Sequence, residues 1–130
     1  MGLQERRKIE ELKTLTLPER SREIAEICGV AIAYEVDWSS FENDGPALNF
    51  LDNLSCHRLN IALRTICIDE MGRAAVSSGL RGVRLRNVAD PAQRHIDFKD
   101  GVLDMRFAYA QGTQAMFSDS VIRETLMSAL

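Results

Sequence analysis

Residues 46–68 carry polar side chains at a spacing that suits molecular recognition. At 100° per residue, Asn49, Asn53, His57, Asn60 and Arg64 fall within one arc of about 80° on a single helix. A face that only meets water is expected to carry Glu and Lys. Amides, an imidazole and a guanidinium offer directional donors and acceptors instead, the chemistry of a ligand groove or a subunit contact. The competing reading, which carries the greater weight, is that these groups bond neighbouring parts of the same chain or water, as most side-chain hydrogen bonds do.

Cys56 and His57 bring a thiol and a base together in sequence. Adjacent helical residues point about 100° apart, so His57 is badly placed to activate Cys56, and a catalytic pair needs hydrogen-bond reach. The loop Asp37-Trp38-Ser39-Ser40 follows the first expected strand at its C-terminal end, the edge at which parallel α/β sheets bind ligands. Trp38 is the candidate wall residue there; equally, Trp38 completes the core and the serines turn the chain. A small enzyme built on Cys56 and His57, or on a pocket near Trp38, is thus the second function class. Neither the histidines nor the cysteines show C-x-x-C or H-x-x-x-H spacing, so no metal is expected. Gly79-Leu80-Arg81-Gly82 lacks the spacing of a phosphate loop, and no cofactor is expected either. Arg58 falls near the middle of the apolar arc of the same helix. Arg rarely sits there alone; a buried or interfacial ion pair is expected, with an acid such as Glu35 or Asp37.

The charges are segregated. Residues 23–57 hold seven acids and no Lys or Arg, whereas residues 58–94 hold seven arginines against three acids. Internal pairing of the two segments explains this most simply, and two patches of opposite sign would suit a two-fold self-association. Arg81, Arg84 and Arg86 would serve a nucleic-acid binder, the third function class. A net charge of −3 and cross-strand pairing with Asp97 and Asp104 argue against it.

The elements that must position these groups follow from periodicity. The length of 130 residues fits one domain, and 45% hydrophobic with 27% charged content is ordinary for a globular chain. Residues 3–15 make a helix with a thin apolar stripe, an arm that is mobile or docks on a partner. A second helix starts at Thr16-Leu17-Pro18-Glu19 and stops at Gly29. Residues 30–38 alternate as a strand. Asp44 caps the main helix, about Pro46 to Ile68, and Asp69 caps a shorter one from Glu70 to Ser78. Val83 and Leu85 alternate with Arg84 and Arg86 as a strand. Asp100-Gly101 between two alternating runs is a type I′ hairpin signal. Ser118 caps a last helix. The expected fold is α+β in two layers: a largely antiparallel sheet of about four strands, a β-α-α-β-β-β-α core, and N-terminal helices packed on it.

Three cysteines without paired spacing fit reduced thiols in the cytoplasm, and no stretch nears the ~20 apolar residues of a membrane span. The leading functional expectation is a cytoplasmic protein–protein interaction module that binds a protein partner or itself as a homo-oligomer.

Overall fold

The structure, a computed structural model, describes residues 2–130. The chain opens with one long helix, α1, over residues 3–28. Two α-helical stretches, Leu3–Glu11 and Leu17–Cys28, are joined without a break by a π turn at Leu12–Thr16. The two separate helices expected here are therefore one. Pro18 supplies the reason: it has no N–H for the carbonyl four residues back. The wider turn just upstream, closed by the Leu17 N–H on the Leu12 carbonyl, absorbs the mismatch without ending the helix. Ile9 and Leu12 are buried, so residues 3–15 dock on the chain's own core. Gly29, left-handed at φ 78°, ends α1.

Helix α2 spans residues 45–66 and also contains a π turn, at Asp52–Cys56, between Gly45–Leu51 and His57–Ile66. The Asp44 carboxylate caps it by accepting from the Ala47 N–H at 3.2 Å. Helix α3, Glu70–Gly79, is capped by Asp69 through the Gly72 N–H at 2.8 Å. Helix α4, Asp119–Met127, is capped by Ser118.

Four strands form one sheet: β1 Ala33–Val36, β2 Gly82–Asn87, β3 His95–Lys99 and β4 Val102–Phe107. Their order is β1-β2-β4-β3, with β1–β2 and β2–β4 parallel and β3–β4 antiparallel. The sheet is mixed, not largely antiparallel, and its last three strands are not a meander. The hairpin forms as its turn residues dictate, with Asp100 at φ 54° and Gly101 at φ 81°. Its more apolar strand, β4, takes the inner place beside β2, burying Leu103, Met105 and Phe107, while the thinner β3 is left at the edge. Burial, not chain proximity, chose the pairing. β1 is also shorter than the expected run over 30–38.

The helix-facing strand positions are mostly apolar: Tyr34 and Val36, Val83 and Leu85, Leu103 and Met105, Ile96 and Phe98 share one face by register, and buried Asn87 at the end of β2 donates its amide to the Ser40 carbonyl and the Asp44 carboxylate. The opposite face carries Glu35, Arg84, Asp104 and Asp97 in one row, and Arg86, Arg106 and His95 in the next. All of these except Asp104 have exposed or half-exposed side chains. The core therefore lies on one side of the sheet, and the other side is open and charged.

Gly72 fixes how α3 leaves α2. A Cβ there would lie 1.7 Å from the Ile66 carbonyl oxygen, a clash with backbone that no rotamer relieves. Gly72→Ala is expected to destabilise the protein by about 1–3 kcal/mol, read as a lower urea midpoint with an unchanged slope.

Candidate functional site

The polar face of α2 is divided by its own π turn. That turn inserts one residue and rotates everything after it by about 100° relative to an unbroken α-helix. Asn49 and Asn53, before or within it, are exposed; His57 is half-buried; Asn60 is fully buried; Arg64 is exposed. The five residues expected to share a face do not line one surface.

The part after the turn meets α1. Arg20 reaches across from α1 to Asp52, with Nε and Nη2 donating to the two carboxylate oxygens at 2.8 and 2.9 Å. Its Nη1 donates to Glu23 at 3.1 Å. Glu23 in turn accepts from the Asn60 amide at 3.0 Å and lies 4.0 Å from Arg64. This is a bidentate clamp joined to a small network, the strong form of carboxylate pairing. Hydrogen bonding to Asp52 holds the Arg20 guanidinium above its ordinary pKa, so it stays charged. Asn60 is thus a seam residue between helices. Arg20 and Glu23 were missed in the sequence, although an Arg and a Glu at i,i+3 on an otherwise apolar helix face were visible there.

The thiols are sealed. Cys28, Cys56 and Cys67 are all reduced and buried. Burial pushes the Cys56 thiol up to about 12, and burial likewise raises Cys28 and Cys67. A nucleophile needs thiolate and access; Cys56 has neither, and its sulfur meets the Ser55 hydroxyl at 3.8 Å and makes no hydrogen bond to His57. The Tyr34 and Tyr109 phenols, also buried, are raised by the same cause.

Trp38 begins a 3₁₀ turn, Trp38–Phe41, directly after β1. It is half-buried, with its ring 6.3 Å from Phe41 and the Lys13 ammonium 5.4 Å above it. The serines beside it turn the chain: the Ser40 hydroxyl donates to the Asp37 carbonyl and accepts from the Asn87 N–H at 3.0 Å. Tyr34, Val36 and Trp38 form one wall of a shallow groove of about 300 Å³, and Leu17 and Pro18 of α1 form the other.

Arg58 does not make the expected ion pair. Glu35 lies 3.6 Å from Arg84 and Asp37 lies 3.5 Å from Arg86, while Arg58 pairs with no acid among the described residues. The same π turn moved it off the middle of the apolar arc to a half-buried position, where its Nε is buried without a hydrogen-bond partner. Pairing of Arg84 and Arg86 with the hairpin acids is also replaced by these β1 partners, with Asp104 turning to Arg106 at 3.4 Å.

The largest concavity lies where no chemistry was expected. A groove of about 440 Å³ runs between the end of α2, α3 and α4, floored by Ile66 and Ala75. Its rim carries Ile68, Met71 and Met127, exposed at 80%, 82% and 59%, and the adjoining Leu130 at 36%. Asp69 and Arg123 stand at its border. The sequence signal was there: Ile68 and Met71 flank Asp69-Glu70 at a helix start, where core packing does not require them.

Sealed thiols have a measurable signature. Burial favours the protonated form, so the Cys56 pKa in the fold lies above its ordinary 9.0. The stabilisation is complete below that value and is lost as pH rises through it toward 12. Native protein is expected to resist thiol alkylation near neutral pH until denaturant is added, and its urea midpoint to fall only above about pH 9. Rapid labelling of Cys56 in the native state, read by mass spectrometry, would restore the thiol-nucleophile reading. Comparison of the chain with protein-family models, with curated proteins and with solved structures finds no match.

Proposed function

We propose that this protein is a protein-interaction module that self-associates through the apolar groove of α2, α3 and α4. One observation carries the proposal: the largest exposed apolar side chains of the second half of the chain gather around one groove instead of scattering. Single exposed apolar residues are normal, but a contiguous patch marks a docking surface. Methionines suit such a surface because they repack easily.

The occupant that fits best is a second copy. The groove provides both parts of a self-complementary contact, a projecting Ile68 and Met71 beside a concavity that can receive them. Its border holds one base and one acid, Arg123 and Asp69. A two-fold axis through the groove would set each against its opposite in the partner copy, as an isologous interface requires. The polar face of α2, the surface first expected to make such a contact, has its buried part engaged with α1. Three reduced, protonated thiols suit a reducing compartment, so the cytoplasmic reading is retained with the proposal.

Sedimentation velocity tests it. The native protein is expected to shift from monomer to dimer with concentration in the micromolar range, with little dependence on salt, because the contact is apolar. Met71→Glu is expected to hold it monomeric with unchanged far-ultraviolet circular dichroism, since the side chain is exposed. A native protein that stays monomeric to about 1 mM, or a Met71→Glu variant that dimerises normally, would refute the proposal.

A further inference from the structure

We propose that the free edge of β1 is a second binding surface, one that takes an extended peptide with alternating apolar and basic residues. β1 is an edge strand, paired only with β2. The Asp37 N–H donates to the Leu85 carbonyl at 2.9 Å, so residues 35 and 37 turn their backbone toward β2. By the alternation of a strand, Tyr34 and Val36 turn their N–H and C=O to the open edge. Ile32 is in the same phase, and its carbonyl is taken by the Ser21 hydroxyl of α1 at 2.8 Å. Beyond that cap, the backbone groups of Tyr34 and Val36 have no partner among the described residues. Natural sheets cover, charge or shorten such edges; this one is short yet leaves two residues ready to pair.

The two faces of β1 specify the side chains of the guest. On the helix side, the guest would lay alternate residues into the groove of Leu17, Pro18, Tyr34, Val36 and Trp38, which takes apolar groups. The Lys13 ammonium above Trp38 repels a cation there. On the open side, the intervening residues would stand beside Glu35, 76% exposed, and Asp37. Those positions select Lys or Arg. The fold already holds one strand with this pattern against β1: β2, whose Val83 and Leu85 face inward while Arg84 and Arg86 meet Glu35 and Asp37. The outer edge presents the same two faces to the outer neighbour. A second copy of β1 fits worse, because the acids of both strands would share one face. Strand addition of this kind derives affinity from main-chain bonds and specificity from the alternating pockets.

The surface is distinct from the apolar groove, so it stands or falls independently of self-association. The probe is the blocked pentapeptide Val-Arg-Val-Arg-Val, titrated into isotopically labelled protein and followed by amide NMR. Expected are saturable shifts at Tyr34, Val36 and Trp38 below about 1 mM, with about fivefold to tenfold weaker binding to Glu35→Lys. The peptide Val-Glu-Val-Glu-Val should bind at least as poorly as that variant does. A peptide N-methylated at its pairing amides should not bind at all, which tests the strand contact without altering the protein. Absence of shifts at Tyr34 and Val36, equal binding of the acidic peptide, or shifts confined to Met71 and Leu130 would overturn the proposal. Concentration-dependent protection of the Tyr34 and Val36 amides without peptide would assign the edge to a second copy and overturn it too.

Discussion

The clamp of Arg20 on Asp52 and Glu23 is the contact on which the arrangement of surfaces depends. Two helices can pack on apolar stripes in several rotations. A bidentate guanidinium between them, at 2.8 and 2.9 Å, accepts only one. With its side chain only 21% exposed, Arg20 sits where an unpaired charge would be costly, so the pair acts as a register pin. Asp52 stands at the first position of the π turn of α2, and the turn's extra residue is what brings Asp52 and Asn60 to the same side as Glu23. The π turn and the ion pair thus support one another.

From that register the rest follows. With α1 pinned on α2, the buried amide of the polar face becomes internal. The C-terminal part of α1 comes to lie along β1, where Ser21 covers Ile32 and leaves the next two backbone positions open. Cys28, at the end of α1, still touches Cys67 just past α2, and beyond that contact Ile68 and Met71 project, exposed, beside α4. The two surfaces proposed to bind, the apolar groove and the open edge of β1, expose none of the thiols. The thiols and phenols are deep in the core, raised in pKa by the same burial that stabilises the fold. The charged face of the sheet largely satisfies itself through the ion pairs Arg84–Glu35 and Arg86–Asp37, with His95 hydrogen-bonded to Asp97. Exposed pairs of this kind add little stability, but they leave few unopposed charges across that face.

Local signals were legible in the sequence because their physics is local. Asp44, Asp69 and Ser118 cap the helices they precede, and Asp100-Gly101 makes its turn. The alternation that set Arg84 and Arg86 opposite Val83 and Leu85 holds. What could not be read was nonlocal. The choice between β3 and β4 as neighbour of β2 depends on how much apolar surface each buries, a comparison only the assembled sheet can make. The π turns were invisible to a uniform 100° step. A single inserted residue moved Arg58 off the core face, split Asn49 from Asn60, and so dissolved a five-residue constellation into one seam and several exposed groups. Asp52 seemed one more member of an acidic run until its partner, 32 residues earlier, was placed beside it.

Hydrogen–deuterium exchange on dilute and concentrated protein puts these surfaces to the most direct test. If the buried polar face is an internal seam and the apolar groove is the contact between copies, concentration should add protection at residues 66–76 and 121–130. Residues 49–64 should exchange alike at both concentrations. Protection that grows instead along residues 49–64, with the groove segments unchanged, would place the contact on the polar face and contradict the central claim.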